Sequence, residues 1–297
     1  MKPAEPTPWF VKFWGTRGSI PTPGPKTQRY GGNTSCVELR IGQTLMVCDG
    51  GTGLRELGVD LLRRARGQPL TVHLFFSHPH WDHIQGFPFF GPAYTADHTL
   101  YIYGEDAKIH QMLSGQMQSA YFPVDFSALK ARIEPVPFKK DAVEIDGVKV
   151  RAFPLKHPGR SLGFAFTHQG RKVVYATDNE LDLLLKSTDQ PRVNPSELRK
   201  MPEDLVAAVR DADLLIADGQ YEDDEYARKV GWGHARASTA VDLGVQAQVK
   251  QLAIYHHDPM QSDRDVDQKV TACASRATRL GSEMKVFGAR EGVEIKL

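Results

Sequence analysis

The densest group of potential metal ligands in the chain is the segment at residues 78–83, which reads HPHWDH. It directly follows an apolar run at 70–76 that is typical of a buried strand. Packing gives no reason to place three imidazoles and a carboxylate at such a strand end, whereas a metal site requires them. Alternate residues of a short loop can face one ion while the Asp-His pair reaches another, so the segment predicts two neighbouring divalent ions. Nitrogen and oxygen donors without cysteine favour zinc, with manganese or iron as alternatives.

Composition sets the broad class of the protein. The chain has 297 residues, of which 41% are hydrophobic and 25% charged, as in ordinary globular proteins. Its 37 Lys and Arg against 36 Asp and Glu leave a net charge of +1, so no overall positive charge predicts binding to nucleic acid. No apolar run approaches the roughly 18 residues of a membrane helix, and we expect a cytoplasmic protein without membrane association. Three cysteines without a CxxC pair predict reduced, packed thiols.

The pattern of strands and helices repeats in two halves, at about 9–130 and 131–297. In each half, meander strands are followed by strands that alternate with helices, and a final hairpin is expected after a helix near 264–279. This order predicts an α/β fold in which two mixed β-sheets are flanked by helices, an αββα sandwich. No low-complexity linker separates the halves, so we predict one domain over 1–297. Residues 86–128 predict an insert or lid beside the HPHWDH loop.

The HPHWDH segment after a strand, in a chain of this size, resembles the metallo-β-lactamase-fold superfamily. Residues 15–18 (GTRG), 33–35 (NTS) and 49–53 (DGGTG) are similar to the opening of its phosphodiesterase branch. That branch contains tRNA 3′-processing endonucleases, cyclic-nucleotide phosphodiesterases and the phosphonate-pathway cyclic phosphodiesterase. The resemblance implies the αββα fold with a binuclear metal site between the sheet edges.

The family pattern adds a third histidine, a bridging aspartate and a last histidine, each after a strand. His157 and Asp178 match the first two, with a polar turn and a capping role as the alternatives. His256 and His257 both follow the apolar strand at 252–255, and because adjacent side chains point opposite ways, one of them is expected to bind metal. Family spacing favours His256. The resemblance thus assigns one metal to His78, His80 and His157, the other to Asp82, His83 and His256, and places Asp178 between them.

Further residues are predicted to assist the reaction. Asp82 is expected to position the attacking hydroxide besides binding metal. Asp49 is similar to the family aspartate that orients a ligand or the metal-bound water, and a turn before Gly50 explains it equally well locally. His234, in the GWGH segment at 231–234, is predicted to protonate the leaving oxygen, with packing as its alternative. Arg17 or Arg29 is predicted to hold another phosphate oxygen.

These features predict a metal-dependent hydrolase in which metal-bound hydroxide attacks a phosphodiester. The balanced charge and the lack of a glycine-rich basic arm favour a small or cyclic nucleotide diester as the partner, rather than nucleic acid. A tRNA 3′-processing endoribonuclease is the first alternative, followed by a hydrolase of a lactone, thioester or β-lactam carbonyl. A non-catalytic metal-stabilised binding module is the last alternative. Superfamily members are often dimers, so the resemblance allows a homodimer, although the sequence shows no readable interface.

Overall fold

The strands of the computed structural model, which describes residues 7–104, 108–138, 142–185 and 197–297, form two seven-stranded sheets. The first sheet has the order β14-β1-β2-β3-β4-β5-β6, and its strands are β1 (Trp9–Gly15), β2 (Cys36–Ile41), β3 (Thr44–Cys48), β4 (Thr71–Phe75), β5 (Thr99–Gly104), β6 (Arg132–Pro137) and β14 (Glu294–Lys296). The second sheet has the order β13-β12-β11-β10-β9-β8-β7, and its strands are β7 (Ala142–Ile145), β8 (Val148–Leu155), β9 (Ser161–His168), β10 (Arg171–Ala176), β11 (Leu214–Asp218), β12 (Gln251–Tyr255) and β13 (Lys285–Gly288).

Helices flank the sheets, and this arrangement confirms the predicted αββα sandwich. They are α1 (Gly53–Ala65), α2 (Trp81–Ile84), α3 (Lys108–Gly115), α4 (Glu203–Val209), α5 (Asp223–Tyr226), α6 (Ala237–Gln246) and α7 (Asp263–Arg279). Across the described ranges, no helix is both long and apolar enough to cross a bilayer.

The alternation of side chains along the strands explains the layers. In β11, Leu214 and Ile216 lie in the apolar layer that joins the two sheets, whereas Leu215 and Ala217 lie in the layer that packs against α4, α6 and α7. Both faces of this strand are therefore buried, which is why its sequence is apolar at nearly every position. A third apolar layer packs α1, the segment at 84–93 and α3 against the outer face of the first sheet.

Two features of the chain differ from the sequence patterns. The predicted final hairpin is wrong, because β13 pairs in parallel with β12 while β14 pairs with β1 in the other sheet. The chain changes sheets within a few residues: Ala289 N donates to Ile254 O at 2.8 Å, and Gly292 N donates to Phe13 O at 2.9 Å. In addition, β5 lies within the predicted insert at 86–128 and pairs in parallel with β4.

Strand direction decides where the site lies. Strands β3, β4 and β5 run parallel in the first sheet, and β10, β11 and β12 run parallel in the second. Strand β8 runs the same way as β10, because each is antiparallel to β9 between them. The carboxyl ends of parallel strands meet at one edge of a sheet, the usual place for a site in such folds. The candidate metal ligands all follow strands of this group.

Candidate metal centre

Four side chains form the first donor set: His78, His80, His157 and Asp178. Their potential ligand atoms all lie within 4.8 Å of one another. His78 and His80 follow β4 and His157 follows β8, so the set joins the two sheets. Three of the four residues are buried, whereas His80 is exposed. Solvent therefore reaches the set from the side of His80.

The second donor set consists of Asp82, His83, Asp178 and His256, again with ligand atoms within 4.8 Å of one another. All four residues are buried. Asp82 and His83 lie in α2, and His256 follows β12, so this set also joins the sheets. Asp82 Oδ2 lies 3.1 Å from His256 Nε2 and 3.2 Å from His83 Nε2.

Asp178 belongs to both sets, and its two oxygens face different sides. Its Oδ2 lies 3.5 Å from His78 Nε2 and 3.6 Å from His157 Nε2. Its Oδ1 lies 3.2 Å from the Nε2 atoms of both His83 and His256. This is the geometry of a carboxylate that can contribute one oxygen to each of two neighbouring cations.

Hydrogen bonds fix the histidine rings of the first set. His78 Nδ1 donates to Ser77 Oγ at 3.0 Å, and this hydroxyl in turn donates to a carboxylate. His157 Nδ1 donates to the carbonyl of Gly233 at 2.8 Å. Because each Nδ1 carries the proton, each Nε2 offers a lone pair toward Asp178, as expected of metal-binding imidazoles.

The second set repeats this arrangement. His83 Nδ1 donates to Asp49 Oδ2 at 2.8 Å, and His256 Nδ1 donates to Gln220 Oε1 at 2.8 Å. The Nε2 atoms of His78 and His83 are buried and have no hydrogen-bond partner among the residues that the structure describes. A buried polar atom without a partner costs about 1–3 kcal/mol, and a cation at these nitrogens would offset that cost. The residues therefore fit a pair of divalent cations.

The electrostatics of the cluster agree with this fit. Burial lowers the pKa of His78 well below its ordinary value, and burial likewise lowers the pKa of His157. Both imidazoles are therefore neutral, the form that binds metal. Burial also opposes a charge on His83, but the carboxylates of Asp178, Asp82 and Asp49 outweigh it and raise this pKa well above its ordinary value. Buried carboxylates thus create a site that favours positive charge.

Strained backbone supports three of the side chains. Asp49, Asp178 and His256 have φ angles of 59°, 53° and 59°, in the left-handed region. For residues other than glycine this region costs on the order of 1–3 kcal/mol, and it persists only where the surroundings enforce it. All three residues come shortly after a parallel strand. The abrupt turn directs each side chain back toward the junction of the sheets.

Asp49 orients residues of the cluster without belonging to either donor set. Its Oδ2 accepts hydrogen bonds from His83 Nδ1 at 2.8 Å, Ser77 Oγ at 2.8 Å and Tyr175 Oη at 2.7 Å. Its Oδ1 accepts one from Ser77 N at 2.7 Å. Four donors on one carboxylate fix the orientation of His83, and this geometry supports the orienting role rather than a simple turn.

His234 lies beside both sets and is paired with an aspartate. Its Nδ1 donates to Asp218 Oδ2 at 2.8 Å, and its ring stacks on His256 at a centroid distance of 4.8 Å. Burial lowers the pKa of His234, but the Asp218 carboxylate outweighs this effect and raises the pKa to about 9. The Asp218 carboxylate therefore favours the protonated form of the ring. Its Nδ1 lies 3.9 Å from Asp178 Oδ2, so the ring is adjacent to the carboxylate that the two sets share.

Three functional neighbours were missed by the sequence patterns: Asp218, Glu180 and Gln220. Asp218 ends the apolar run LLIAD, and an aspartate at a strand end is the same signal that identified Asp178. Gln220 carries no such signal, because its contact with His256 joins residues far apart in the chain. Glu180 holds the GWGH loop: its carboxylate accepts from Gly231 N at 2.6 Å and from Gly233 N at 2.8 Å.

The GWGH loop offers a test of how the first donor set is held. Gly233 has a φ of +92°, and an added Cβ would lie 2.2 Å from His157 Nδ1. We expect Gly233→Ala to displace His157 and to weaken metal binding roughly 10- to 100-fold, as loss of a ligand's supporting contact does. Titration of the metal-free protein with Zn²⁺ or Mn²⁺ in competition with a chelator measures this.

Gly231→Ala is the matched control for that variant. Gly231 also has a positive φ, +86°, but nothing lies within 4 Å of an added Cβ. The backbone strain of the two substitutions is therefore similar, and only Gly233→Ala disturbs His157. Equal affinities for the two variants would contradict the proposed support of His157 by this loop.

Three other predicted residues lie away from the donor sets. Arg17 is completely buried, and its guanidinium donates to the carbonyls of Gly31, Asp258 and Gln261 at 2.8–3.1 Å. Arg29 forms an ion pair with Asp267 at the surface. His257 Nε2 donates to Ala289 O at 2.8 Å, outside the clusters. The geometry thus supports His256 over His257, and does not support phosphate binding by Arg17 or Arg29, because both guanidinium groups already bind partners within the protein.

Comparison with known proteins adds a family and several relatives. A family model described as "Beta-lactamase superfamily domain" matches residues 44–257, a range that includes every candidate ligand. A protein of Natronomonas pharaonis named Ribonuclease Z is 26% identical over an alignment of 301 positions, which covers 86% of this chain and 91% of that protein.

Two solved structures are similar over nearly the whole chain. The metallo-beta-lactamase fold protein YhfI from Bacillus subtilis superposes with a TM-score of 0.67 at 18% identity, covering 98% of this chain and 100% of that one. Human tRNase Z, short form, has a TM-score of 0.62 at 19% identity, covering 96% and 98%. At these identities both likenesses concern the fold, which is the predicted one.

The Natronomonas relative overturns one sequence-based prediction. A small-molecule diester substrate without nucleic acid was expected, but the relative that aligns over most of the chain is named a ribonuclease. The prediction was wrong because net charge averages over the whole surface. An RNA segment needs positive side chains only near the site that it enters.

Proposed function

The chain belongs to the beta-lactamase superfamily and is a metal-dependent hydrolase of phosphodiester bonds, and we propose that it is an endoribonuclease of the tRNA 3′-processing type. The observation that carries the proposal is the pair of donor sets sharing Asp178, with His234 and its partner Asp218 beside them. The name of the Natronomonas relative supports RNA as the substrate class.

We propose that one divalent cation binds in each donor set, with zinc as the first candidate and manganese or iron as alternatives. The donors are imidazole nitrogens and carboxylate oxygens, and the three cysteines are buried elsewhere as free thiols. When bound, two such cations lower the pKa of a water molecule and neutralise negative charge on the phosphate. The seven ligands proposed are His78, His80, Asp82, His83, His157, Asp178 and His256.

Asp82 would orient the attacking water. Its Oδ2 accepts a hydrogen bond from Ser19 N at 2.7 Å, so this oxygen is held in place. The same oxygen lies between the Nε2 atoms of His83 and His256. A carboxylate fixed at this point can accept a hydrogen bond from a water and align it for attack on phosphorus.

His234 would donate a proton to the leaving oxygen. Asp218 holds its Nδ1, so the Nε2–H is the remaining group of the ring that can reach a substrate. The ring lies between the two donor sets, at centroid distances of 5.3 Å from His157 and 4.8 Å from His256. A ribose alkoxide is a poor leaving group, and a positioned acid typically accelerates its departure by 10²–10⁴-fold.

The proposal is tested with a tRNA precursor that carries a 3′ trailer. We expect the metal-loaded protein to cut the 5′-labelled precursor once near the trailer junction, and to leave a DNA of the same sequence uncut. Gel analysis with nucleotide resolution identifies the cut. The Asp178→Asn variant serves as the control for contaminating nucleases, since the proposed mechanism requires this carboxylate.

An intact precursor after prolonged incubation, together with hydrolysis of bis-p-nitrophenyl phosphate, would show that the diester chemistry is present but that RNA is the wrong substrate. Cleavage of unstructured RNA without preference for the trailer would agree with ribonuclease activity but would refute the proposal that the enzyme is of the tRNA-processing type.

A further inference from the structure

Two tryptophans at the edge of the first donor set are exposed to solvent. Trp81 is 78% exposed and Trp232 is 60% exposed, although large aromatic side chains bury apolar surface when packing permits it. Trp81 begins α2, directly between His80 and Asp82. Trp232 lies between the two glycines of the GWGH loop. Neither exposed ring is explained by the metal chemistry.

The two indoles belong to the start of α2 and to the GWGH loop, and these segments meet at the donor set. His80, which precedes Trp81, has its Nδ1 3.1 Å from His157 Nε2. The other nitrogen of His157 donates to the carbonyl of Gly233, which follows Trp232, at 2.8 Å. The backbone of each tryptophan is therefore tied to the same pair of histidines. His80 is the exposed member of the set, and each tryptophan directly adjoins a residue that belongs to the set or is bonded to it.

One lysine lies beside Trp232, and another adjoins His157 in the chain. Lys229 Nζ lies 5.0 Å from the centre of the Trp232 ring and 3.5 Å from Asp258 Oδ2. Lys156, next to His157, is exposed. Protein sites that bind single-stranded RNA combine exposed aromatic rings with cationic side chains, because bases stack on the rings while the cations attract the phosphates.

We propose that Trp81 and Trp232 are stacking platforms for the unpaired nucleobases on either side of the scissile phosphate. This inference rests on the proposed ribonuclease function and specifies how the substrate is held. A phosphate at the donor sets places the adjoining nucleotides near both loops. Stacking requires that these bases be unpaired, so the cut falls in a single-stranded segment and is tolerant of base identity.

The test compares leucine and phenylalanine at each position. Trp81→Leu and Trp232→Leu keep an apolar side chain but lose the aromatic face, whereas Trp81→Phe and Trp232→Phe keep it. We expect each leucine variant to raise KM for RNA and its Kd for a short single-stranded RNA roughly 5- to 100-fold, the range for one stacked base. The phenylalanine variants should recover most of this loss. Binding is measured by fluorescence anisotropy in the His234→Ala background, in which both metal ions should be retained while cleavage is slow.

RNA with an abasic nucleotide on one side of the cut provides the second arm. If a base stacks on one tryptophan, removing that base should weaken RNA binding by the wild type as much as the leucine substitution does. Combining the abasic RNA with the leucine variant should cause no further loss of affinity. The loss on bis-p-nitrophenyl phosphate should be at least several-fold smaller than on RNA, and metal content should match the wild type. Additive losses, or leucine variants that bind RNA as tightly as wild type, would overturn the inference. Wild type that cleaves no RNA would instead refute the proposed function.

Discussion

Changing Asp178 to asparagine is expected to remove nearly all hydrolysis of both RNA and small diesters, by roughly 10³-fold or more, because metal catalysis supplies several kcal/mol of transition-state stabilisation. The substitution keeps the size of the side chain, and asparagine tolerates the left-handed backbone with φ of 53°. It removes the negative charge of the carboxylate that belongs to both donor sets. Metal content, measured by elemental analysis after desalting, should fall from two ions per chain to one or none.

Asp97→Asn is the matched control for this prediction. Asp97 also has a left-handed backbone, with φ of 67°, and its side chain is exposed in the turn before β5. The same chemical change at the same backbone geometry should leave metal content and turnover at the wild-type level. Two ions retained by Asp178→Asn with full activity would contradict the assignment of Asp178 to both sets.

The sequence predicts the site well where its residues are local. The HPHWDH loop brings four candidate ligands together within six residues, and the buried strand before it places them at a sheet edge. His157, Asp178 and His256 also follow strands, a position visible from the apolar runs before them. Strand ends converge because the strands are parallel, and this direction follows from the predicted alternation of strands with helices.

The contacts that support the ligands could not be predicted in this way. Gln220 holds His256, and Glu180 holds the glycines of the GWGH loop, through hydrogen bonds between separate loops. Such contacts depend on the turn that each loop makes and leave no periodic trace in the sequence. Arg17 shows the same limit of sequence-based prediction. A guanidinium in a glycine-rich loop suggests phosphate binding, but here it donates hydrogen bonds to three backbone carbonyls.

The sheet assignment of the last strands has a comparable cause. Residues 285–296 contain two short strand patterns with a glycine between them, as a hairpin does. The local sequence does not record that the free edges at β12 and β1 belong to different sheets. Each strand pairs with the edge nearest to it, and the two sheets are thereby joined at their ends.

His234→Ala should lower kcat for RNA by roughly 10²–10⁴-fold while metal content stays at two ions per chain. His234 is not one of the seven proposed metal ligands, and its Nδ1 donates a hydrogen bond to Asp218 at 2.8 Å. The proton that it carries is required when a ribose oxygen leaves. For bis-p-nitrophenyl phosphate the loss should be much smaller, because p-nitrophenolate leaves without protonation.

Asp218→Asn provides the companion variant, since it keeps a hydrogen-bond acceptor for His234 but removes the charge that raises the pKa of this imidazole to about 9. The imidazole would then hold its proton less tightly, so we expect a smaller loss on RNA than in His234→Ala, again with little effect on the p-nitrophenyl diester. Steady-state kinetics on both substrates, with metal content measured in parallel, separates the possibilities. Equal losses of His234→Ala on the two substrates would assign His234 to phosphate binding instead of proton donation. A fall in metal content would assign it to the metal site, and unchanged kinetics would leave it a packing residue.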